Sequence, residues 1–319
     1  MKFSQIVFAL FLVCLVGFNF AYSQDNSKKE KSKNKKTEQN PIVVKANVAV
    51  LDAAENFVDN IKLEDLKVFE DGVEQKITYF VKKEPILNLG LVVDNSGSMK
   101  KNLDELMKSS SIIIDSLLPD SEVFVVRFVD SDTIEVIQEW TSNKKDLKEA
   151  IEIMFVQGGQ SAVLDAVYLS AEKILERERK DKSKRYAIIL ISDAEERDSY
   201  YNFDEIMALF KGTDLQVFLL SFAENAPLAK KKARLLSHLL TLETGGTVYS
   251  LPKKHSQDDI LHALKSIFGE LRSQYIIGYT STNQKRDGLP RKLSIQVTDS
   301  AKGETRKGVI RESFVVPKE

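Results

Sequence analysis

From Ile42 to Leu51 apolar and polar residues partly alternate, with Val44, Ala46, Val48 and Val50 set against Lys45 and Asn47, the period of a strand buried on one face. Val68-Phe69-Glu70 then runs into Asp71-Gly72, a dipeptide favoured in tight hairpin turns, and Lys76-Ile77-Thr78-Tyr79-Phe80-Val81 is the predicted returning strand. Near the other end Tyr275 to Tyr279, Lys292 to Thr298 and Val309 to Val316 again read as strands, with no helical pattern among them. Two β-rich flanks around one central unit predict a small β domain assembled from both ends of the chain, since the termini of a fold often lie close together.

The middle has a different rhythm. Ile86 to Val93, Glu122 to Val129, Tyr186 to Ile191, Leu215 to Phe222 and Thr247 to Leu251 are short, largely apolar, β-branched runs of the kind buried on both faces of a sheet. Helical patterns lie between them at 101–117, 144–154, 161–179, 204–211, 229–242 and 257–273. Within the third, Ala162, Leu164 to Val167, Leu169, Ala171, Ile174 and Leu175 keep the i, i+3, i+4 spacing of an amphipathic helix. Thr133 to Trp140 is expected to pair as an antiparallel edge. The alternation predicts an α/β fold, a doubly wound and mainly parallel sheet, with the β-rich flanks as an accessory domain. Sheets of this kind bind ligands beyond the carboxyl ends of their strands.

The chain of 319 residues balances 46 Lys and Arg against 47 Asp and Glu. No basic stripe interleaves with aromatics, so a nucleic-acid partner is not expected. Lys2, the apolar run Ile6 to Phe18 and Ala21-Tyr22-Ser23 follow the order of a secretory signal, cleaved after Ser23. That run is shorter than the ~20 residues that span a bilayer, and no second stretch is longer. The mature chain is therefore expected to be exported to a periplasm, cell surface or medium without a stable membrane span. Cys14 is the only cysteine, so the mature chain would hold no disulfide. Val13 stands where a lipoprotein site would want a small residue. Residues 24–40 contain no apolar side chain and read as a flexible linker. The expected organisation is a signal at 1–23, the linker at 24–40, a β flank at 41–84, the α/β domain at 85–272 and a second β flank at 273–319.

One constellation carries chemistry. Asp94-Asn95-Ser96-Gly97-Ser98 follows a buried strand and precedes a helix. A carboxylate and two hydroxyls at alternating positions can converge on one small hard cation, since Mg2+ prefers about six oxygens at ~2.0 to 2.1 Å. Gly97 would let the backbone turn tightly. The same residues also build an Asx turn with a serine helix cap. Gly158-Gly159-Gln160-Ser161 brings a further hydroxyl in front of a long helix, and Ser192-Asp193 ends another buried strand with a second carboxylate.

Taken in order, Asp94-x-Ser96-x-Ser98, the Gly-Gly loop with Ser161 before Ala162-Val163-Leu164-Asp165-Ala166, and Ser192-Asp193 resemble the metal-ion-dependent adhesion site of von Willebrand factor A domains. The resemblance spans roughly residues 85 to 272. It implies that Ser96 and Ser98 ligate Mg2+, or Mn2+ or Ca2+, directly, and Asp94 directly or through water. Ser161 and Asp193 would do so directly or through water, depending on whether a partner is bound. It also implies an open coordination position for an Asp or Glu of a protein partner. Asn95, Gly97 and Asp165 would support the ligands from behind, Asp165 by orienting the Ser161 loop or capping its helix, the alternative being that it faces solvent.

Two departures stand out: Ser161 replaces the commoner Thr, and Ala194 replaces the Gly that usually follows the second Asp. The flanks Leu63 to Gly72 and Leu271 to Tyr279 resemble exported bacterial proteins related to von Willebrand factor A, which extends the likeness over most of the mature chain.

Enzyme readings fare worse. Asn95-Ser96-Gly97-Ser98 lacks the leading glycine of a Gly-x-Ser-x-Gly nucleophile elbow, and no Gly-x-x-x-x-Gly-Lys-Ser/Thr loop occurs. His238, His255 and His262 sit in no motif. The acidic run from Asp193 to Asp198 reads as a solvated loop or as the rim of a second cation. The function expected is metal-dependent protein binding rather than catalysis. A structural envelope module is the alternative, and a hydrolase is the least favoured reading.

Overall fold

The computed structural model describes residues 40–82, 86–178, 180, 184–210, 213–222, 229–316 and 318, without the side chains of 110, 111, 229–235 and 239. The expected signal segment, with Cys14, and nearly all of the linker fall outside the described residues. In the first flank β1 (Val43–Leu51) is followed by β2 (Leu66–Glu70), β3 (Val73–Gln75) and β4 (Ile77–Lys82). The middle carries β5 (Leu87–Asp94), α1 (Lys100–Lys108), α2 (Ser110–Asp115), β6 (Glu122–Phe128), β7 (Ile134–Thr141), α3 (Lys144–Glu152), α4 (Val163–Glu178) and β8 (Arg185–Ser192). It continues with α5 (Phe203–Phe210), β9 (Gln216–Ser221), α6 (Ala229–Thr244), β10 (Val248–Ser250) and α7 (Gln257–Ser273). The last flank holds β11 (Tyr275–Thr280), β12 (Pro290–Asp299), β13 (Glu304–Val309) and β14 (Ser313–Val315).

The fold is α/β, built on two sheets. The middle strands form a mixed six-stranded sheet in the order β10-β9-β8-β5-β6-β7, parallel except at the last pair, where β7 returns antiparallel along β6. Its central strands β5 and β8 are buried at every position, which is why their sequences show no alternation. One face packs Leu89, Leu91 and Val93 against α1, α3 and α7 through residues such as Leu103, Leu147 and Ile267. The other packs Val92, Phe124 and Leu190 against α4 and α5 through Val167, Ile174 and Ile206. Ser256 caps α7 by a reciprocal pair of bonds with Asp259, and the Asn143 side chain accepts from Lys145 N to start α3.

The second sheet is wholly antiparallel, eight-stranded and close to a barrel in form. Its order is β3-β2-β12-β13-β1-β11-β4, with β14 added beside β12. β1 lies against β11 through residues 43–48 and against β13 through 49–51, so strands from both ends of the chain share one ladder. The inner face collects Val44, Val48, Val68, Ile277 and Val297. Phe80 stacks on Tyr275 with ring centroids 5.4 Å apart.

Two local expectations are corrected. The hairpin after Asp71-Gly72 exists, and both residues take positive φ, 48° and 81°, as a type I′ turn requires. Its returning strand is β3, not 76–81. Gln75 turns inward and binds Thr282, with its amide donating to Thr282 Oγ1 and its carbonyl accepting Thr282 N, and β4 then pairs with β11 at the far edge. The single helix expected over 101–117 is two, because the Ser109 hydroxyl bonds back to Glu105 O at 2.9 Å and the backbone breaks there.

Glu70 and Arg291, on neighbouring strands β2 and β12, form an ion pair of 3.0 Å with both side chains at most 3 % exposed. Ser281 Oγ donates to the same carboxylate oxygen at 2.8 Å. Removing one partner would leave the other charge buried and uncompensated, at a cost of about 3–5 kcal/mol. Arg291→Met is therefore expected to lower stability in urea by about that amount. The double variant Glu70→Leu/Arg291→Met should lose clearly less, and equal losses in both would show that the charge itself is not what matters.

Candidate metal centre

Asp94 is the last residue of β5, where the parallel strands end and the chain must leave the sheet. Asn95 fixes that exit. Its N–H donates to Phe128 O at the end of β6, its carbonyl accepts from Gln157 N, and its Nδ2 donates to Phe155 O at 2.8 Å. Two strand ends and the loop between α3 and α4 are thereby held together before any ligand is considered. Ser96 then opens a 3-10 turn, Gly97–Met99, leading into α1. Gly97 lacks a positive φ, and a Cβ placed there would meet nothing within 4 Å, so the turn does not require glycine as the sequence implied. Gly159 is the tighter position: a Cβ there would lie 2.4 Å from Val129 Cγ1 and 2.9 Å from Asp130 Oδ2.

The Asp94 carboxylate is wholly buried. Oδ1 accepts from Ser96 N at 2.9 Å, and Oδ2 accepts both from Ser161 Oγ at 2.9 Å and from Ser192 Oγ at 2.6 Å. Ser96 Oγ lies 3.0 Å from Ser98 Oγ, and Ser98 is exposed, so the hydroxyls run from the buried carboxylate to the surface. The structure thus gathers Asp94, Ser96, Ser98 and Ser161. Asp193 is 8 % exposed and its Oδ1 accepts from Glu195 N at 3.1 Å; it influences Asp94 through charge rather than through a shared hydrogen bond.

Ser192 was passed over in the sequence in favour of its acidic neighbour. The signal was strand alternation: a residue closing β8 beside β5 has its side chain level with that of Asp94. Ser192 Oγ also accepts from Ala194 N at 2.9 Å.

The segment after β8 is bound down onto the start of α4. Ser161 O accepts from Arg197 N at 2.9 Å, and the Glu196 carboxylate accepts from Leu164 N at 2.9 Å. The Asp165 carboxylate accepts from Tyr200 N and Tyr201 N, and Tyr201 stacks on Tyr168 with centroids 3.7 Å apart. Asp165 is therefore a buried clamp on this segment rather than a solvent-facing residue. The acidic run is largely engaged as well: Asp198 accepts from Ser131 N and Oγ. Among the histidines, His255 lies against Glu105 and Pro252 O and touches none of the site serines.

These residues suit a hard divalent cation. Every side-chain ligand atom on offer is an oxygen and most are hydroxyls, the chemistry a hard cation takes; among the described residues no group of three or more His, Cys, Asp or Glu is placed to hold a metal ion. Burial, opposed by the Ser192 and Ser96 hydrogen bonds and reinforced by the charge of Asp193, raises the Asp94 pKa from 3.8 to about 6. The carboxylate at neutral pH is thus a buried anion whose main charged neighbour is another anion, and a cation would relieve it.

Because the folded-state value lies above the unfolded one, Asp94 favours folding only while protonated. In chelator, the contribution of Asp94 to stability is expected to fall by about 3 kcal/mol as pH rises from below 4 to above 6. Asp94→Asn should flatten that part of the urea-stability profile and be the more stable protein at pH 7, since the Ser161 and Ser192 hydroxyls can turn to accept from the amide. Ala194 holds φ 56°, a left-handed conformation that favours glycine. Ala194→Gly is accordingly expected to raise the unfolding free energy by up to about 1 kcal/mol, less whatever packing the buried methyl contributes.

Residues 89–195 match the family model described as von Willebrand factor type A domain. No curated protein matches the chain. Among solved structures, the von Willebrand factor type A protein from Catenulispora acidiphila aligns with 11% identity over 88% of this chain and 74% of its own, at a TM-score of 0.45. The PilB minor pilin from Streptococcus sanguinis aligns with 13% identity over 60% of this chain, TM-score 0.45, and this chain spans 63% of the pilin's length. An aerotolerance-related membrane protein from Bacteroides fragilis aligns with 15% identity over 57% of this chain and 98% of its own, TM-score 0.42. These likenesses are too distant to carry a role across. The strand ends that gather around Asp94 fall within the residues that match the von Willebrand factor type A domain model.

Proposed function

We propose that this protein binds a partner protein through a divalent cation, Mg2+ or else Mn2+ or Ca2+, held by Asp94, Ser96, Ser98 and Ser161, with Asp193 alongside. A von Willebrand factor A domain suggests protein–protein interaction or adhesion in general. The observation that carries the metal-dependent reading is the line of oxygens from buried Asp94 through Ser96 to exposed Ser98. When bound, the cation would supply an attraction for a carboxylate at the surface end of that line. With a single buried carboxylate among its direct protein ligands, it would stay only partly neutralised, so an Asp or Glu of the partner is favoured. Asp94 anchors the site, the serines set its hard-oxygen character, and Asn95 and Asp165 keep its loops in place.

The reading extends to an exported protein acting at a cell envelope. The secretory pattern of residues 1–23 supports export, and among the described residues no helix is long and apolar enough to cross a membrane. A doubly wound arrangement of the six-stranded sheet agrees with helices on both of its faces and with a site at the carboxyl ends of its strands. A second reading, a structural module whose metal only stabilises the fold, is favoured by one feature. Asp94 Oδ2 already joins two other loops through Ser161 and Ser192, so a cation there would tie them further.

Calorimetric titration of the protein with Mg2+ is expected to show one site that disappears in Asp94→Ala. Equal affinity in both proteins would remove the metal from the proposal. Capture of envelope proteins with and without chelator then separates the two readings. Partner binding should be lost in chelator and in Ser98→Ala, whereas a purely structural metal predicts retention in Ser98→Ala.

A further inference from the structure

At the opposite ends of the strands from Asp94 and Ser192, a cavity of about 730 Å3 opens between the two sheets. One wall is the outward face of β1, β11 and β4, where Val43, Ile276, Tyr79 and Val81 line it together with Lys45. The register places Lys45 opposite Gly278 and Gly278 opposite Tyr79, so these side chains share one patch, and Lys45 Nζ stands 5.7 Å from the centre of the Tyr79 ring. The other wall comes from the start of β8, with Lys184 and Arg185, and from Asp214 just ahead of β9. Arg311 spans the gap, donating to Thr213 O, Lys45 O and Asp214 Oδ1.

Among the described residues, positive charge dominates this cleft. Lys45, Lys184, Arg185, Arg286 and Arg311 line it against Glu178 and Asp214. Two of the guanidinium groups have donors left over. Arg185 is 5 % exposed, and its Nη1 donates to Leu271 O at 2.6 Å while Nε and Nη2 find no partner. Arg311 Nε is likewise buried and unpartnered. Burial lowers the Arg185 pKa to about 10, which still leaves it charged at neutral pH. Buried polar groups are normally satisfied, and charged donors most strongly by anionic acceptors. A guanidinium presents adjacent N–H groups in a fixed fork that matches the paired oxygens of a carboxylate or phosphate. Beside them the cleft offers an apolar wall and a volume within the usual range for small-molecule sites.

We propose that this cleft binds an anionic amphiphile, its carboxylate or phosphate head on Arg185 and Arg311 and its apolar body against Val43, Tyr79, Val81 and Ile276. The site shares no residue with the metal centre, and it stands or falls independently of the function proposed above.

The test is calorimetric titration of the full chain, in chelator and below micelle-forming concentrations, with decanoate, decyl phosphate, decanol and inorganic phosphate. At least one of the two anionic amphiphiles is expected to bind tenfold or more tighter than decanol and than inorganic phosphate. Which of them binds identifies the head group. Arg311→Gln and the exposed-site variant Lys45→Glu should each weaken that binding at least fivefold, and Asp94→Ala should leave it unchanged. The proposal is overturned if neither anionic amphiphile binds, if decanol binds equally well, if inorganic phosphate alone does as well as decyl phosphate, or if Lys45→Glu, which removes no buried contact, binds with unaltered affinity.

Discussion

A single carboxylate oxygen organises the top of the molecule. Asp94 Oδ2 accepts hydroxyls from the loop before α4 and from the end of β8, and Oδ1 holds the Ser96 backbone, so three segments far apart in sequence meet on one buried charge. Burying an anion without a nearby cation is costly, and the raised Asp94 pKa records that cost. A fold optimised for stability alone would replace such a group with a neutral one. Its place at the strand ends, with a line of hydroxyls leading outward, is the feature on which the proposed cation rests.

The regular elements were legible because their signals are local. Leu89 to Val93 and Ile188 to Ile191 carry no alternation, which identifies strands covered on both faces, and β5 and β8 are buried throughout. The edge role of 133–140 also followed from local pattern, and β7 does return antiparallel along β6. What local pattern could not reveal is which strand accepts which. Ile77 to Val81 has the composition to return along β2, yet it pairs with β11, whose complementary face comes from the far end of the chain. The break at Ser109 was hidden for a related reason: a hydroxyl bonding back to a carbonyl four residues earlier leaves apolar spacing unchanged.

The candidate site was legible in part. Spacing singled out Asp94, Ser96 and Ser98, and the resemblance added Ser161 and Asp193; hydrogen bonds join Asp94 to Ser96 and Ser161, and Ser96 to Ser98, while Asp193 shares none of them. Ser192 escaped notice because attention falls on the charged Asp193 beside it, while the side chain level with Asp94 is the hydroxyl. The substitution at position 194 was visible, but its consequence was not. Ala194 holds a left-handed backbone of φ 56° that glycine would favour, so the turn is adopted at some conformational expense. The basic cleft could not have been read at all, since Lys45, Arg185 and Arg311 become neighbours only when both flanks close on the central unit.

The shared ladder of β1 also dictates an order of events in time. Its two neighbours, β11 and β13, are made only after the whole central unit, and the contact of Ile61 with Tyr275 closes a loop of 214 positions. During synthesis β1 therefore stays unpaired until β11 and β13 have been made, while the central strands and helices can already collapse around their own core. Loss of the last flank would strip β1 of both neighbours and expose its edges to other chains. The flanks thus act as a late-closing clasp, completed when β11 and β13 reach β1.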